Sequence, residues 1–280
     1  MVAIDRIGVI GAGQMGRGIA QLAAAHGLEV TLADAGRDVA DRGRALVARE
    51  LEKLVEKKKV APEERDKMLA RIRPTDLYGG ELEAVDFVVE AVTESFEVKR
   101  EVFGALDRAC RPGVILATNT SSISITAISA VVTRPDRVIG MHFMNPPPIM
   151  KLVEIIRGLP TSDATFETTR ALAERLGKST VTSRDIPGFI VNRVLMPMLN
   201  EACFALYEGI ASVEDMDAAI HLGLNHPMGP FALMDLIGLD TTLAILEVLH
   251  RDLGDPKYRP CPLLRQYVAA GWRPPTRRTR

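Results

Sequence analysis

The 280-residue sequence contains only three cysteines, Cys110, Cys203 and Cys261. They are odd in number, far apart and never in a CxxC pair, which excludes a disulfide framework and argues against a zinc site. A reducing compartment, the cytoplasm, is therefore expected, and no metal. An excess of one charge is also missing: 35 Lys and Arg against 36 Asp and Glu leave a formal net charge of −1. That excludes the basic surplus of a nucleic-acid binder, and the tail PPTRRTR is too short and too terminal to restore it. No uninterrupted apolar run of about 18 residues occurs, so no membrane span is expected. The start, MVAIDRIGVIG, places Asp5 and Arg6 inside its apolar run, unlike a signal peptide. What remains, 47% hydrophobic and 25% charged, is an ordinary globular composition, enough for one large domain or two ordinary ones.

The apolar pattern changes character along the chain. RIGVI (6–10) ends in glycines, helical spacing follows over 14–26, and EVTLA (29–33) stops at Asp34, a βαβ unit. Further strands are predicted at 85–92, 113–117, 137–143 and 151–156. Continuous apolar runs of this kind suit a buried, mostly parallel sheet, and intervening helices predict a doubly wound, Rossmann-type α/β domain. From about 46 to 73, Val47, Leu51, Leu54 and Val55, then Pro62, Met68, Leu69 and Ile72, predict an inserted helical hairpin. Lys57, Lys58 and Lys59 form its tip, read equally well as a solvated helix end. After DIPGFIVNR (185–193) no strand pattern recurs. Helices are expected near 188–208, 213–223, 229–250 and 261–271, with Pro230 in a first turn. The boundary falls near Pro187: residues 1–186 form the α/β domain and 187–280 an all-α domain.

GAGQMG places Gly11, Gly13 and Gly16 in GxGxxG spacing between a strand and a helix. The first glycine allows the tight turn, the second lets backbone approach a pyrophosphate, and the third permits close helix packing. The helix N-terminus offers amides to the phosphates, with Gln14 and Met15 among the expected cofactor contacts. Asp34, about 20 residues on, is positioned to accept both ribose hydroxyls. Its charge favours NAD over NADP, although Arg37 lies close enough to weaken that inference.

In an extended 137–143, His142 shares a face with Val138 and Gly140; in 151–156, Glu154 shares one with Leu152 and Ile156. A carboxylate on an apolar strand face needs compensation, and an imidazole supplies it while gaining a fixed tautomer and a more basic second nitrogen. Pro146, Pro147 and Pro148 stiffen the connection. The plainer alternative bonds the histidine to a backbone carbonyl and Glu154 to Lys151 or an arginine. Ser121 and Ser122, after the strand at 113–117, sit where α/β ligands bind, or cap the next helix. Asn192, in PGFIVNR, either joins a site or bonds solvent.

Together GAGQMGRGIAQ, Asp34, VVEAVTES, TNTSSISIT, MHFMNPPPIMKLVEII, PGFIVNR and HPMGPFALMDLIGLDTT resemble the L-3-hydroxyacyl-CoA dehydrogenases over residues 4 to 271, most closely the short bacterial 3-hydroxybutyryl-CoA type. The resemblance implies reversible NAD-linked oxidation of a 3-hydroxyacyl-CoA in fatty acid or butanoate metabolism. It makes His142 the general base and Glu154 its orienting carboxylate, with Ser121 and Asn192 near the substrate hydroxyl and thioester carbonyl. Glu94 and Lys99 match positions near the nicotinamide ribose, Lys58 matches a CoA contact, and a homodimer is expected. Two other readings stay open: a dehydrogenase of a hydroxy acid or sugar acid without CoA, and a non-catalytic NAD-binding relative. The chain departs from the family at its end, where GWRPPTRRTR (271–280) replaces the usual GRKTGxGFY. A reading-frame change there would account for it, and is expected to weaken NAD binding or stability.

Overall fold

The computed structural model describes residues 4–77 and 80–272, and the chain divides into two compact units, Met1–Asp185 and Ile186–Arg280. The first unit is built on β1 (Arg6–Ile10), β2 (Glu29–Asp34), β3 (Ile72–Asp76), β4 (Phe87–Glu90), β5 (Ile115–Thr118), β6 (Val138–Phe143), β7 (Leu152–Arg157) and β8 (Ser179–Arg184). Their spatial order is β3-β2-β1-β4-β5-β6-β7-β8. Neighbours run parallel except β6 and β7, which are antiparallel. Helices α1 (Gln14–Ala25), α2 (Arg37–Glu56), α3 (Pro62–Arg71), α4 (Phe96–Ala109), α5 (Ile125–Ser129) and α6 (Asp163–Arg175) lie between them. This is the Rossmann-type doubly wound sheet expected from the apolar runs. The order reverses between β1 and β4, the crevice where open α/β sheets take ligands.

Strands β4, β5 and β6 are buried at every residue, because helices cover a parallel sheet on both faces. Ile7, Val9, Val30, Leu32 and Phe87 from the strands pack with Ile19, Leu22 and Ala23 of α1 in one core. Two strands go beyond the sequence reading. β3 is IRPTD and lies at one sheet edge, where a proline is tolerated. β8 is STVTSR at the other edge, with no buried residue, so neither carries an apolar signature. The predicted hairpin is present as α2 and α3, but α2 begins at Arg37, and the segment ends in β3 rather than at residue 73 of a helix.

Among the described residues the second unit is helical: α7 (Val191–Tyr207), α8 (Val213–Gly223), α9 (Pro230–Ile237), α10 (Leu239–Leu253) and α11 (Pro262–Ala269). Met196, Leu199, Phe231, Met234, Leu246 and Leu249 form its core. The single helix expected over 229–250 is two, because Gly238 takes φ 99° and breaks the hydrogen-bond ladder there. The atypical tail beyond Trp272 lies outside the described residues. Among those residues no helix is long and apolar enough to cross a membrane.

Candidate active site

The glycine turn follows β1 directly. Gly11 adopts φ 100°, and a Cβ there would meet the Ala91 carbonyl oxygen at 2.5 Å. A Cβ at Gly16 would sit 1.7 Å from the Gly11 oxygen, so neither position admits a side chain. Gly13 has nothing within 4 Å of a built Cβ; its backbone faces open space. Gly13 also caps α1 with no side-chain hydrogen bond, and the first turn holds no acid, which leaves the amides and the dipole to an anion. Gln14 is exposed and Met15 half-buried. Asp34 ends β2 half-buried, its Oδ2 accepting from Ala12 N and its Oδ1 from Ala35 N, each at 2.7 Å. One carboxylate thus ties the end of β2 to the glycine turn. These residues fit a dinucleotide.

The carboxyl ends of β4 and β5 carry a second polar cluster. Glu90, the last residue of β4, is fully buried and accepts from Lys99 Nζ (2.7 Å), Thr118 Oγ1 (2.6 Å) and Val92 N (2.7 Å). A buried charge pair persists only when its remaining valences are satisfied like this. Lys99 Nζ also lies 3.4 Å from Glu94 Oε2. Glu94 Oε1 accepts from Thr120 Oγ1 at 2.6 Å and from Ser121 N at 2.9 Å, with both serine hydroxyls within 3.2 Å. Burial alone would raise the Glu94 carboxyl. The Lys99 charge and the bonds from Thr120, Ser121 and Ser122 outweigh it and hold the group below its ordinary range. The helix after β5 is capped by Ser124, whose hydroxyl accepts from Ala127 N. Ser121 and Ser122 are therefore not its caps.

β6 continues the row of carboxyl ends. Asn119, just past β5, accepts from Phe143 N at 2.9 Å and braces the end of β6. His142 and Glu154 are directly paired across the antiparallel β6–β7 ladder, with Nδ1 2.7 Å from Oε2. Glu154 is fully buried and His142 8% exposed. A carboxylate so placed fixes the proton on Nδ1 and leaves Nε2 as the acceptor. The proline connection turns back over α1, where Gln14 Nε2 reaches Asn145 Oδ1 at 3.2 Å.

The structure thus places Gly11, Gly13, Gly16, Asp34, Glu94, Ser121 and His142 at or just past the carboxyl ends of parallel strands, with Glu154 paired to His142 from β7 and Lys99 on α4. Lys99 is 1% exposed, behind Glu94. Lys58 is exposed at the α2–α3 turn, in the left-handed region at φ 55°. Asn192 is in the second unit, buried at the start of α7. Glu90 and Asn119 escaped the sequence reading. An acid ending the apolar run FVVE was the available signal for Glu90, akin to the carboxylate inside an apolar run that picked out Glu154.

Two family models match the chain: "3-hydroxyacyl-CoA dehydrogenase, NAD binding domain" over residues 6–186 and "3-hydroxyacyl-CoA dehydrogenase, C-terminal domain" over residues 188–276. A 3-hydroxybutyryl-CoA dehydrogenase of Bradyrhizobium diazoefficiens is 51% identical over 96% of this chain and 92% of its own length. The enzyme of the same name from Clostridioides difficile is 46% identical over 95% and 94%. The crystal structure of (S)-3-hydroxybutyryl-CoA dehydrogenase from Ralstonia eutropha superposes with a TM-score of 0.92 at 49% identity, covering 96% of this chain and 95% of that one.

Proposed function

The chain belongs to the 3-hydroxyacyl-CoA dehydrogenase family, and from that premise we propose that it oxidises a short-chain (S)-3-hydroxyacyl-CoA, foremost 3-hydroxybutyryl-CoA, to the 3-ketoacyl-CoA, reversibly. It is an oxidoreductase with a nicotinamide cofactor, which when bound takes the hydride from the carbinol carbon. The contact between His142 Nδ1 and Glu154 Oε2 at 2.7 Å carries the reading. Glu154 holds the ring and stabilises the imidazolium that forms, while Nε2 receives the hydroxyl proton; such general-base help is worth about 10²–10⁴ in rate. Gly11, Gly13 and Gly16 with α1 hold the pyrophosphate, and Asp34 takes the ribose hydroxyls and disfavours a 2′-phosphate, making NAD the cofactor. Arg37 lies 3.8 Å from Asp41 on its own helix. Glu94, with Lys99 behind it, holds the nicotinamide ribose, Ser121 binds the reacting end of the substrate, Lys58 takes a CoA phosphate, and Asn192 is the second unit's candidate for substrate binding.

Residues 1–186 are assigned to the cofactor and 187–280 to substrate and self-association. Val194, Ile210, Leu222 and Leu236 of the second unit are each at least 70% exposed, large apolar side chains that a second copy could cover, which supports a homodimer. Three buried free thiols support a reducing, cytoplasmic setting. Loss of NADH absorbance with acetoacetyl-CoA tests the reading, run beside NADPH and beside free acetoacetate. Turnover with NADH and the CoA ester is expected; turnover of the free acid alone, or none with any substrate, overturns it.

A further inference from the structure

The connection between β6 and β7 carries the candidate base at one end and its carboxylate at the other: His142 is four residues before Pro146, and Glu154 four after Met150. Its three consecutive prolines have no N–H to donate. The internal backbone bonds from Ile149 N and Met150 N both end on the Pro146 oxygen, at 3.0 and 3.1 Å. The Pro147 and Met150 oxygens instead accept from one ammonium, Lys178 Nζ, at 2.6 and 2.8 Å. Lys178 follows the left-handed Gly177 (φ 70°) that closes α6, and is only 7% exposed. The next residue, Ser179, donates its N to the Lys151 oxygen at 2.8 Å as β8 begins. The same connection rests on the glycine-turn helix: a Cβ at Gly18 would meet Pro147 Cδ at 2.8 Å.

Burying an ammonium against two neutral carbonyls is costly, and burial lowers the Lys178 pKa. An apolar side chain in its place would leave the Pro147 and Met150 oxygens without this donor. What a lysine adds is a fixed point: two hydrogen bonds from one nitrogen set the height of the connection above α1. We propose that Lys178 is a positioning residue of the dehydrogenase reaction, holding the proline connection so that the His142–Glu154 pair stands at the working distance from the dinucleotide on α1. The inference rests on His142 being the base. Displacement of a reacting group by about 1 Å costs on the order of 10²-fold in rate.

The test compares Lys178→Met, Lys178→Arg and the same K178M change in a His142→Ala background, with NADH and acetoacetyl-CoA. K178M is expected to lower kcat roughly ten- to a hundredfold while KM and the NADH Kd stay within about threefold, and K178R to recover most of the loss. In the H142A background K178M should add less than about twofold, because there is no base left to misplace. Equal losses in both backgrounds, or an unchanged kcat in the single variant, overturn the role of Lys178. Should H142A itself keep full turnover, the base assignment fails instead, and the two failures are told apart. If K178M does not fold, Lys178→Gln carries the comparison; collapse of both variants would assign Lys178 to stability and overturn the proposal.

Discussion

Glu154 stands directly opposite His142 on the antiparallel neighbour strand, Oε2 2.7 Å from Nδ1, with the carboxylate fully buried. Strand register alone makes the pair, since opposed residues of adjacent antiparallel strands have Cβ atoms about 5 Å apart. For the contact between the two side chains, the loop contributes by keeping the strands in that register. In the proposed reaction this separates the tasks of the two side chains: the imidazole moves a proton and the carboxylate decides which nitrogen accepts it.

That division predicts unequal losses. His142→Ala should lower kcat by about 10²–10⁴ with cofactor affinity nearly intact. Glu154→Gln keeps a hydrogen bond but loses its charge. Exchanging a charge-assisted bond for a neutral one is worth about 1–2 kcal/mol, roughly five- to thirtyfold in kcat. Single-turnover absorbance traces with saturating NADH measure both. A Glu154→Gln defect as deep as that of His142→Ala would contradict the division.

Glu94 predicts a pH dependence of stability. Its folded pKa lies below the ordinary 4.5, because the Lys99 charge and the Thr120, Ser121 and Ser122 bonds override the opposing effect of burial. A depressed carboxyl stabilises the fold at pH values above its unfolded pKa, and that contribution is lost as pH falls through the folded pKa. Wild type should therefore lose stability on acidification between about pH 5 and pH 3 faster than Glu94→Gln does. Urea midpoints of the two proteins across that window check the sign; parallel curves would remove Glu94 from the acid response.

Much of this arrangement was legible in the residues because it rests on backbone periodicity. Alternation put His142 and Glu154 on strand faces, and the glycine spacing located the turn that Asp34 closes. What could not be read is which partner satisfies each buried charge. Glu90 and Lys99 meet across nine residues of sequence and Lys178 meets Pro147 across thirty-one, through tertiary contacts that leave no local pattern. Edge strands β3 and β8 were invisible for a related reason: with one neighbour each, they keep polar residues and a proline that a central strand would exclude. Gly238 could be read as a weak helix residue but not as a break, since only its positive φ decides that.

The cysteines predict thiol behaviour. Burial pushes the Cys110 thiol up to about 11 and, with Cys261 adding to it, Cys203 to about 12. At a pH near 8 neither forms appreciable thiolate, the species that reacts. Native protein should therefore react with a chromogenic disulfide reagent at these two positions only at the rate of unfolding, and stoichiometrically in denaturant. Rapid labelling of Cys110 or Cys203 in the native state, located by peptide mass, would contradict the burial seen here.

Lys58 offers the sharpest separation of binding from stability. It holds φ 55° just past α2, its N bonded to the Val55 oxygen at 2.8 Å and the following Lys59 N to the Leu54 oxygen at 2.8 Å. Helix ends of this shape ordinarily take glycine in the left-handed position, since a side chain there costs about 1 kcal/mol or more. A lysine in this position costs stability relative to glycine, and the proposed contact with the CoA phosphates would give its side chain a use. Lys58→Gly should then match or exceed the wild-type melting temperature, while KM for acetoacetyl-CoA rises several-fold and kcat at saturation stays nearly unchanged. The rise should shrink as salt is added, because screening weakens the lysine–phosphate attraction in the wild type but not in the variant. An unchanged KM with a raised melting temperature would leave Lys58 as a strained surface residue and move the CoA contact elsewhere.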